Sequence, residues 1–187
     1  LSGADAVVNC VGILNEVGHN KFLDVQAEGA ARIARLASEH GVSNLVHISA
    51  IGADENGPSA YSVTKAQGEA AIQEHFPNAV ILRPSIIFGS EDQFFNRFAQ
   101  MAASLPVLPI SGANSKFQPV YVDDVARAAV VGAMGQAPAG IYELGGPDVE
   151  TFAELMARMK SVIQRRPLTL SLPKFVAWCV AFGADMA

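Results

Sequence analysis

Three short apolar runs separated by helix-patterned stretches constrain this chain more than any other feature. "DAVVNCVG", ending at Gly12, reads as a buried strand followed by a loop. "FLDVQAEGAARIARLASEHG" puts Phe22, Val25, Ile33 and Leu36 on one helix face, and Gly41 supplies a stop. "NLVHISAIG" is a second strand, and the Gly/Pro-containing loop "ADENGPSA" leads from it into a helix carrying "SAYSVTKAQGEA". "NAVILRPSIIFG" is a third strand with Pro84 at its end, because proline cannot donate to a central ladder. Strand, helix, strand, helix, strand at this spacing predicts βαβ units on a parallel sheet covered on both faces. Right-handed crossovers then bring the loops at Gly12, Ser49 and Pro84 to one sheet edge, where such folds bind ligands.

After Gly89 the pattern loosens. "SEDQFFNRFAQMAASL" is expected to be a helix opened by a capping box from Ser90 to Gln93, and "LPVLPISGANSKF" to be irregular. "QPVYVDDVARAAVVGAM" reads as a short strand followed by a helix that Asp123 caps. "GIYELGGPDVETFAELMARMKSVIQ" reads as a strand, a glycine turn and a helix capped by Thr151 with Glu154, its Met156 and Met159 facing a core. The expected division is residues 1–90 in a nucleotide-binding sheet domain and 91–187 in a smaller lobe, with 117–146 returning to the main sheet.

Half the residues are hydrophobic and 17% are charged, which argues against a disordered chain. The net charge of −5 offers no basic footprint for nucleic acid. Cys10 and Cys179 are isolated, favouring a reducing compartment, and His19, His40, His47 and His75 lack metal-ligand spacing. The late apolar stretch "KFVAWCVAFG" is about half the ~20 residues a membrane span needs. It is expected to be a packing or docking helix; a peripheral membrane-surface contact through Phe175, Trp178 and Phe182 is the alternative.

Tyr61 and Lys65 stand four residues apart and so share a helix face. Such a pair can be a catalytic acid/base, because an ammonium beside a phenol favours the phenolate and lowers its pKa. It can equally clamp the hydroxyls of a ribose, or be two polar residues on a solvated face. Asp123 with Asp124, and Glu91, Asp92 and Arg97, are read as ordinary first-turn residues of helices.

As an ordered set these segments resemble the short-chain dehydrogenase/reductase superfamily in its extended or atypical branch. "DAVVNCVG" resembles the strand that ends beneath the nicotinamide ribose, "LVHISAIGA" the serine-bearing strand and "YSVTK" the tyrosine–lysine signature. "LRPSIIFG" and "FQPVYVDDVARA" resemble that family's later segments. The wording of "FPNAVILRPSIIFGSEDQFFNRFA" and "YELGGPD" is similar to the nucleotide-binding accessory subunits of respiratory complex I and their bacterial relatives. The resemblance implies an α/β, Rossmann-like doubly wound parallel sheet, with NADPH (or NAD(H)) as cofactor and other complex I subunits as partners. It implies the matrix side of the mitochondrial inner membrane or the cytoplasmic face of a bacterial one. Carried over, it gives Val11 and Gly12 backbone contact with the cofactor and Ser49 the floor beside the nicotinamide. Tyr61 and Lys65 hold the ribose, and Pro84, Ser85 and Ile86 meet the nicotinamide end.

The sequence departs from the family pattern twice. No glycine-rich phosphate loop, and no residue selecting NAD or NADP, precedes "DAVVNCVG"; the first strands and this loop are expected upstream of Leu1. Beyond Ser49, where active members carry a polarising hydroxyl, stand Ala50 and Ile51. Two functions therefore compete. One is a subunit that holds its cofactor for stability. The other is an NAD(P)-dependent reductase, epimerase or dehydratase acting on a sugar nucleotide or other carbonyl compound, with Tyr61 and Lys65 catalytic and Ser49 assisting.

Overall fold

The computed structural model describes residues 1–172. The segment "KFVAWCVAFG", and with it the expected docking helix and membrane contact, lies outside the described residues. Along the chain come β1 (Ala6–Asn9), a π-helical stretch (Leu23–Glu28) running into α1 (Gly29–Glu39), β2 (Asn44–Ile48), α2 (Ala60–His75) and β3 (Val80–Pro84). Then follow α3 (Phe95–Ser104), β4 (Val107–Ser111), α4 (Val122–Ala133), β5 (Gly140–Leu144), α5 (Phe152–Val162) and β6 (Leu168–Leu172). Two compact units result, Leu1–Ser85 with Val122–Gly145, and Ile86–Tyr121 with the chain from Gly146 onward.

The first unit is a parallel sheet in the order β1-β2-β3-β5. Side chains alternate across it as strand geometry requires. Leu45 and Ile81 enter a cluster with Ala30, Ala34, Ala37, Ile72 and Phe76 on the α1/α2 face. Val46, Val80 and Leu82 point the other way and pack with Ala128, Ala129 and Ala133 of α4. Both faces are covered, which is why these strands read as continuous apolar runs.

The face of α1 differs from expectation. Its buried stripe is the small-residue series Ala30, Ala34 and Ala37, continued by Ala27 in the π-helical stretch before it, while Ile33 packs at its margin. Small side chains let this segment and α2 approach closely, and at Gly68 the helix α2 lies against the π-helical stretch. A Cβ there would lie 2.2 Å from the carbonyl oxygen of Gln26. Gly41 does end this segment, with φ of 68° just past the helix. Pro84 is the last residue of β3, as its missing N–H demands. Helix α4 begins at Val122, so Asp123 lies within the first turn and does not cap it, contrary to expectation.

The second unit is built around an aromatic and methionine core. Phe152, Leu155, Met156 and Met159 of α5 are buried with Ala102 of α3 and Leu108 and Ile110 of β4. Phe152 meets Phe98 edge-on, with ring centroids 5.3 Å apart. The expected irregular stretch contains β4, which pairs in parallel with β6, Leu168 opposite Val107. Helix α3 starts after Phe94 with no Ser90–Gln93 box, and the Asp92 carboxylate two residues earlier accepts from the Phe95 and Asn96 amides. The Thr151–Glu154 capping box at α5 is present as expected. Among the described residues no helix is long and apolar enough to cross a membrane.

Candidate functional site

The parallel sheet delivers the ends of β1, β2 and β3 to one edge, and the site in the first unit is assembled there. Backbone bonds continue the ladder past those ends. The Ser49 amide donates to Leu82 O (2.7 Å), that of Ile51 to Pro84 O (3.0 Å), and that of Ser85 to Leu144 O (2.8 Å). Ser49, Pro84 and Ser85 are therefore held by the sheet and not left to loop freedom.

Beyond β1, the turn at Val11 and Gly12 is fixed from below. The Asn9 side-chain oxygen accepts from the Val11 amide at 3.1 Å, and its amide nitrogen lies 3.0 Å from His47 Nδ1. Since the Asn9 oxygen is engaged by Val11, its NH₂ donates to His47, which puts the ring proton on Nε2. Burial, reinforced by the nearby Lys65 ammonium, lowers the His47 pKa to about 4, so the ring stays neutral. Its Nε2 is buried and has no hydrogen-bond partner among the described residues. Gln26, also buried, donates to Ile13 O at 2.7 Å and accepts from the Thr64 hydroxyl at 3.0 Å, tying the same loop to α2.

Ser59 opens α2 by accepting from the Ser62 amide, which sets the helix phase. Tyr61, Lys65 and Glu69 then fall at i, i+4 and i+8, on one stripe of the helix. Lys65 is only 5% exposed. Its ammonium donates to Ile48 O at 3.1 Å, and a Cβ on Gly12 would lie 3.4 Å from it. Burial pulls the Lys65 pKa down, while the Glu69 carboxylate opposes that shift. Tyr61 packs edge-on against Phe22, ring centroids 5.9 Å apart. Burial pushes the Tyr61 phenol up from its ordinary value. This reverses the expectation that the lysine lowers it, because burial disfavours the charged phenolate.

The third member of the stripe was not singled out by the sequence reading. Glu69, 3% exposed, receives a bidentate grip from Arg83: Nε to Oε1 at 2.9 Å and Nη2 to Oε2 at 2.7 Å. The Ser49 hydroxyl donates to the same Oε1. Both partners were legible only as a pattern, an acid four residues after Lys65 and an arginine just before Pro84.

Of the expected residues, the first unit thus brings Gly12, Lys65 and the end of β2 together. It anchors Ser49 on Glu69, and it sets Pro84 and Ser85 at the end of β3. Ile86 belongs to the second unit, where its carbonyl accepts from Val120 N at 2.9 Å. The buried ammonium retains protons beyond the one given to Ile48, and the exposed Gly12 has no side chain to block an approaching ligand. Such an arrangement suits a polyhydroxylated ligand.

A family model described as the RmlD substrate binding domain matches residues 5–166. The "NADH dehydrogenase [ubiquinone] 1 alpha subcomplex subunit 9, mitochondrial" of Arabidopsis thaliana is 36% identical over 190 residues, covering 99% of this chain and 47% of that protein. A "Ceramide reductase" of Caulobacter vibrioides is 30% identical over 174 residues, covering 91% of this chain and 54% of that protein. The chain spans about half the length of these curated relatives. Among solved structures, a dTDP-4-dehydrorhamnose reductase ortholog from Clostridium acetobutylicum superposes with a TM-score of 0.79 at 17% identity, over 90% of this chain and 65% of that one. That likeness establishes the Rossmann-like α/β fold with its parallel sheet.

Proposed function

The chain belongs to the RmlD substrate binding domain family, within the atypical short-chain dehydrogenases/reductases, and from that premise we propose that it serves respiratory complex I as a nucleotide-holding accessory module. Its cofactor is a nicotinamide nucleotide, NADPH in our reading, kept for stability and not turned over. Its partners are other complex I subunits, on the matrix side of the mitochondrial inner membrane or the cytoplasmic face of a bacterial one. The names of its relatives support the assembly.

One observation carries the binding-without-turnover reading. The Ser49 hydroxyl is committed to a carboxylate that Arg83 already holds, so it cannot stand in for the polarising hydroxyl that active members carry just beyond this position. A donor spent on a buried ion pair cannot stabilise a developing oxyanion. Ala50 and Ile51 follow it and carry no hydroxyl to replace it. The Tyr61 phenol, pushed up by burial, is also a poorer base at neutral pH.

The residues present suit the cofactor's ribose. Lys65 has protons to spare for a vicinal diol, the Tyr61 hydroxyl sits one turn before it, and Gly12 and Val11 offer an exposed backbone. Pro84 and Ser85 would line the nicotinamide end. When bound, the nicotinamide ring would be a hydride source; this chain's residues supply its positioning.

The test is made on protein purified from its native source. Bound small molecules are released by denaturation and identified by mass spectrometry and fluorescence. Near-stoichiometric NADPH with co-purifying respiratory subunits is the expected result. Rapid NADPH oxidation with a carbonyl or quinone acceptor overturns it.

A second reading, an NAD(P)-dependent reductase, epimerase or dehydratase, is favoured by the intact Tyr61–Lys65 pair and the ceramide reductase relative. Under that reading Tyr61→Phe abolishes turnover and leaves cofactor affinity nearly unchanged.

A further inference from the structure

Beyond β1 the chain carries Gly12 between two buried side-chain amides. On one side Asn9, 3% exposed, accepts from the Val11 N–H at 3.1 Å. On the other Gln26, 1% exposed, donates to the Ile13 carbonyl at 2.7 Å. An added Cβ on Gly12 would lie 3.4 Å from Lys65 Nζ, so the backbone between these two pins is what faces the ammonium. A shift of either pin changes the space open to a ribose there.

The Asn9 pin works in one orientation only. An asparagine amide has nearly the same shape when turned over, but its oxygen and its NH₂ then change places. Turned, Asn9 would set its NH₂ against the Val11 N–H, two donors facing each other out of reach of water. His47 prevents this. It is 1% exposed on β2, opposite Asn9 in the parallel register, and its Nδ1 lies 3.0 Å from the Asn9 amide nitrogen. Burial holds the ring neutral, with a pKa of about 4, so Nδ1 keeps a lone pair for the Asn9 NH₂. The ring proton is left on Nε2, which is buried and has no acceptor among the described residues. An apolar side chain here would fill the core without that unpaired N–H, but it would offer Asn9 no acceptor.

We propose that His47 is a positioning residue of the nucleotide site: its Nδ1 keeps the Asn9 oxygen toward the Val11 N–H, and Asn9 thereby keeps the Gly12 backbone in place before Lys65. Both residues act through the turn, from the side of the sheet interior. The proposal rests on the nucleotide reading of this sheet edge.

The experiment titrates the full-length protein with NADPH, read by nucleotide fluorescence, in the wild type, His47→Asn and His47→Leu. Near-UV circular dichroism and urea unfolding are recorded for each. The asparagine oxygen can stand close to where Nδ1 stands and keeps an acceptor for Asn9, whereas leucine offers none. His47→Asn should bind within about threefold of wild type, and His47→Leu should be weaker by about tenfold or more. A purely structural role predicts the reverse order, because a buried site tolerates leucine better than an asparagine. Solvent exchange of the Val11 amide should quicken in His47→Leu and not in His47→Asn. In the wild type, which needs no variant to fold, ¹⁵N NMR of the His47 ring at neutral pH should find its proton on Nε2. A proton on Nδ1, or affinities that follow stability and not the acceptor, would overturn the role of His47 alone. Wild-type protein that takes up no NADPH would overturn the nucleotide reading, and this role with it.

Discussion

Arg83 holds Glu69 with two parallel hydrogen bonds, 2.9 and 2.7 Å long, joining the end of β3 to the third turn of α2. The bond to Glu69 is the main reason the Arg83 pKa is raised, with coulombic help from Glu69, Glu143 and Asp54. Glu69 in turn holds the Ser49 hydroxyl at the end of β2. One buried carboxylate therefore fixes two strand ends and the helix that carries Tyr61 and Lys65.

Removing the cation alone should be costly. Arg83→Met leaves Glu69 charged and buried, and breaking such a pair typically costs about 3–5 kcal/mol. The Arg83 side chain is 22% exposed, so the lower end of that range is expected. The double variant Glu69→Gln/Arg83→Met should recover part of the loss, because no lone charge remains. Urea unfolding of the wild type, both single variants and the double variant reads this directly. Additive losses would mean that the pair is not coupled.

Ser49 and Lys65 should separate in their effects on nucleotide retention. Ser49→Ala removes one donor from Glu69 and is expected to cost about 1–2 kcal/mol of stability. If Ser49 serves structure, the NADPH recovered per chain stays within about twofold of wild type. Lys65→Met removes the ammonium beside Gly12 and should lower recovery at least tenfold, the equivalent of about 1.4 kcal/mol. Equal losses from both variants would return Ser49 to the cofactor site.

Much of this was legible because the signals are local. The apolar runs became β1, β2 and β3, Gly41 adopted the positive φ of a helix stop, and Thr151 with Glu154 closed the expected capping box. Pairing between β4 and β6 was not legible, since Val107 and Leu168 find each other across α4 and α5. The sequence places the start of α3 too early, at a Ser90–Gln93 box, whereas the Asp92 carboxylate reaches the Phe95 and Asn96 amides that open the helix. Tyr61 and Lys65 could be read as a pair from their spacing alone. Glu69, Arg83, Asn9 and His47 could not, because their roles arise from side chains meeting across strands and helices. The direction of the Tyr61 shift was misread for the same reason: spacing reports a neighbour's charge but not burial.

His47 makes the fold sensitive to mild acid. Its folded pKa is about 4 against an ordinary 6.5, so between these values the unfolded chain binds the extra proton. Stability is then fully present above pH 6.5 and falls as pH drops through the window toward 4. A shift of this size corresponds to roughly 3 kcal/mol across the window. Protonation would also set an N–H against the Asn9 NH₂ and a second cation near Lys65. His47→Gln should flatten the slope relative to wild type. Denaturant unfolding at several pH values between 4 and 7 gives the difference, and parallel curves for the two proteins would refute it.

Gly68 gives a prediction whose sign separates packing from propensity. It lies inside α2, where alanine is intrinsically favoured over glycine by about 1 kcal/mol. On propensity alone, Gly68→Ala would stabilise. The structure requires the opposite, because the new methyl would sit 2.2 Å from the Gln26 carbonyl oxygen, which is backbone and cannot rotate away. Relief means pushing α2 off the π-helical stretch, and overpacking of this kind costs about 1–3 kcal/mol. The displacement would also stretch the Gln26 bonds to Thr64 and Ile13, loosening the loop that leads from Gly12. Gly68→Ala should therefore lower the melting temperature and reduce the NADPH recovered per chain. A variant that melts higher than wild type would show that α2 and the segment before α1 do not approach as closely as Gly68 permits.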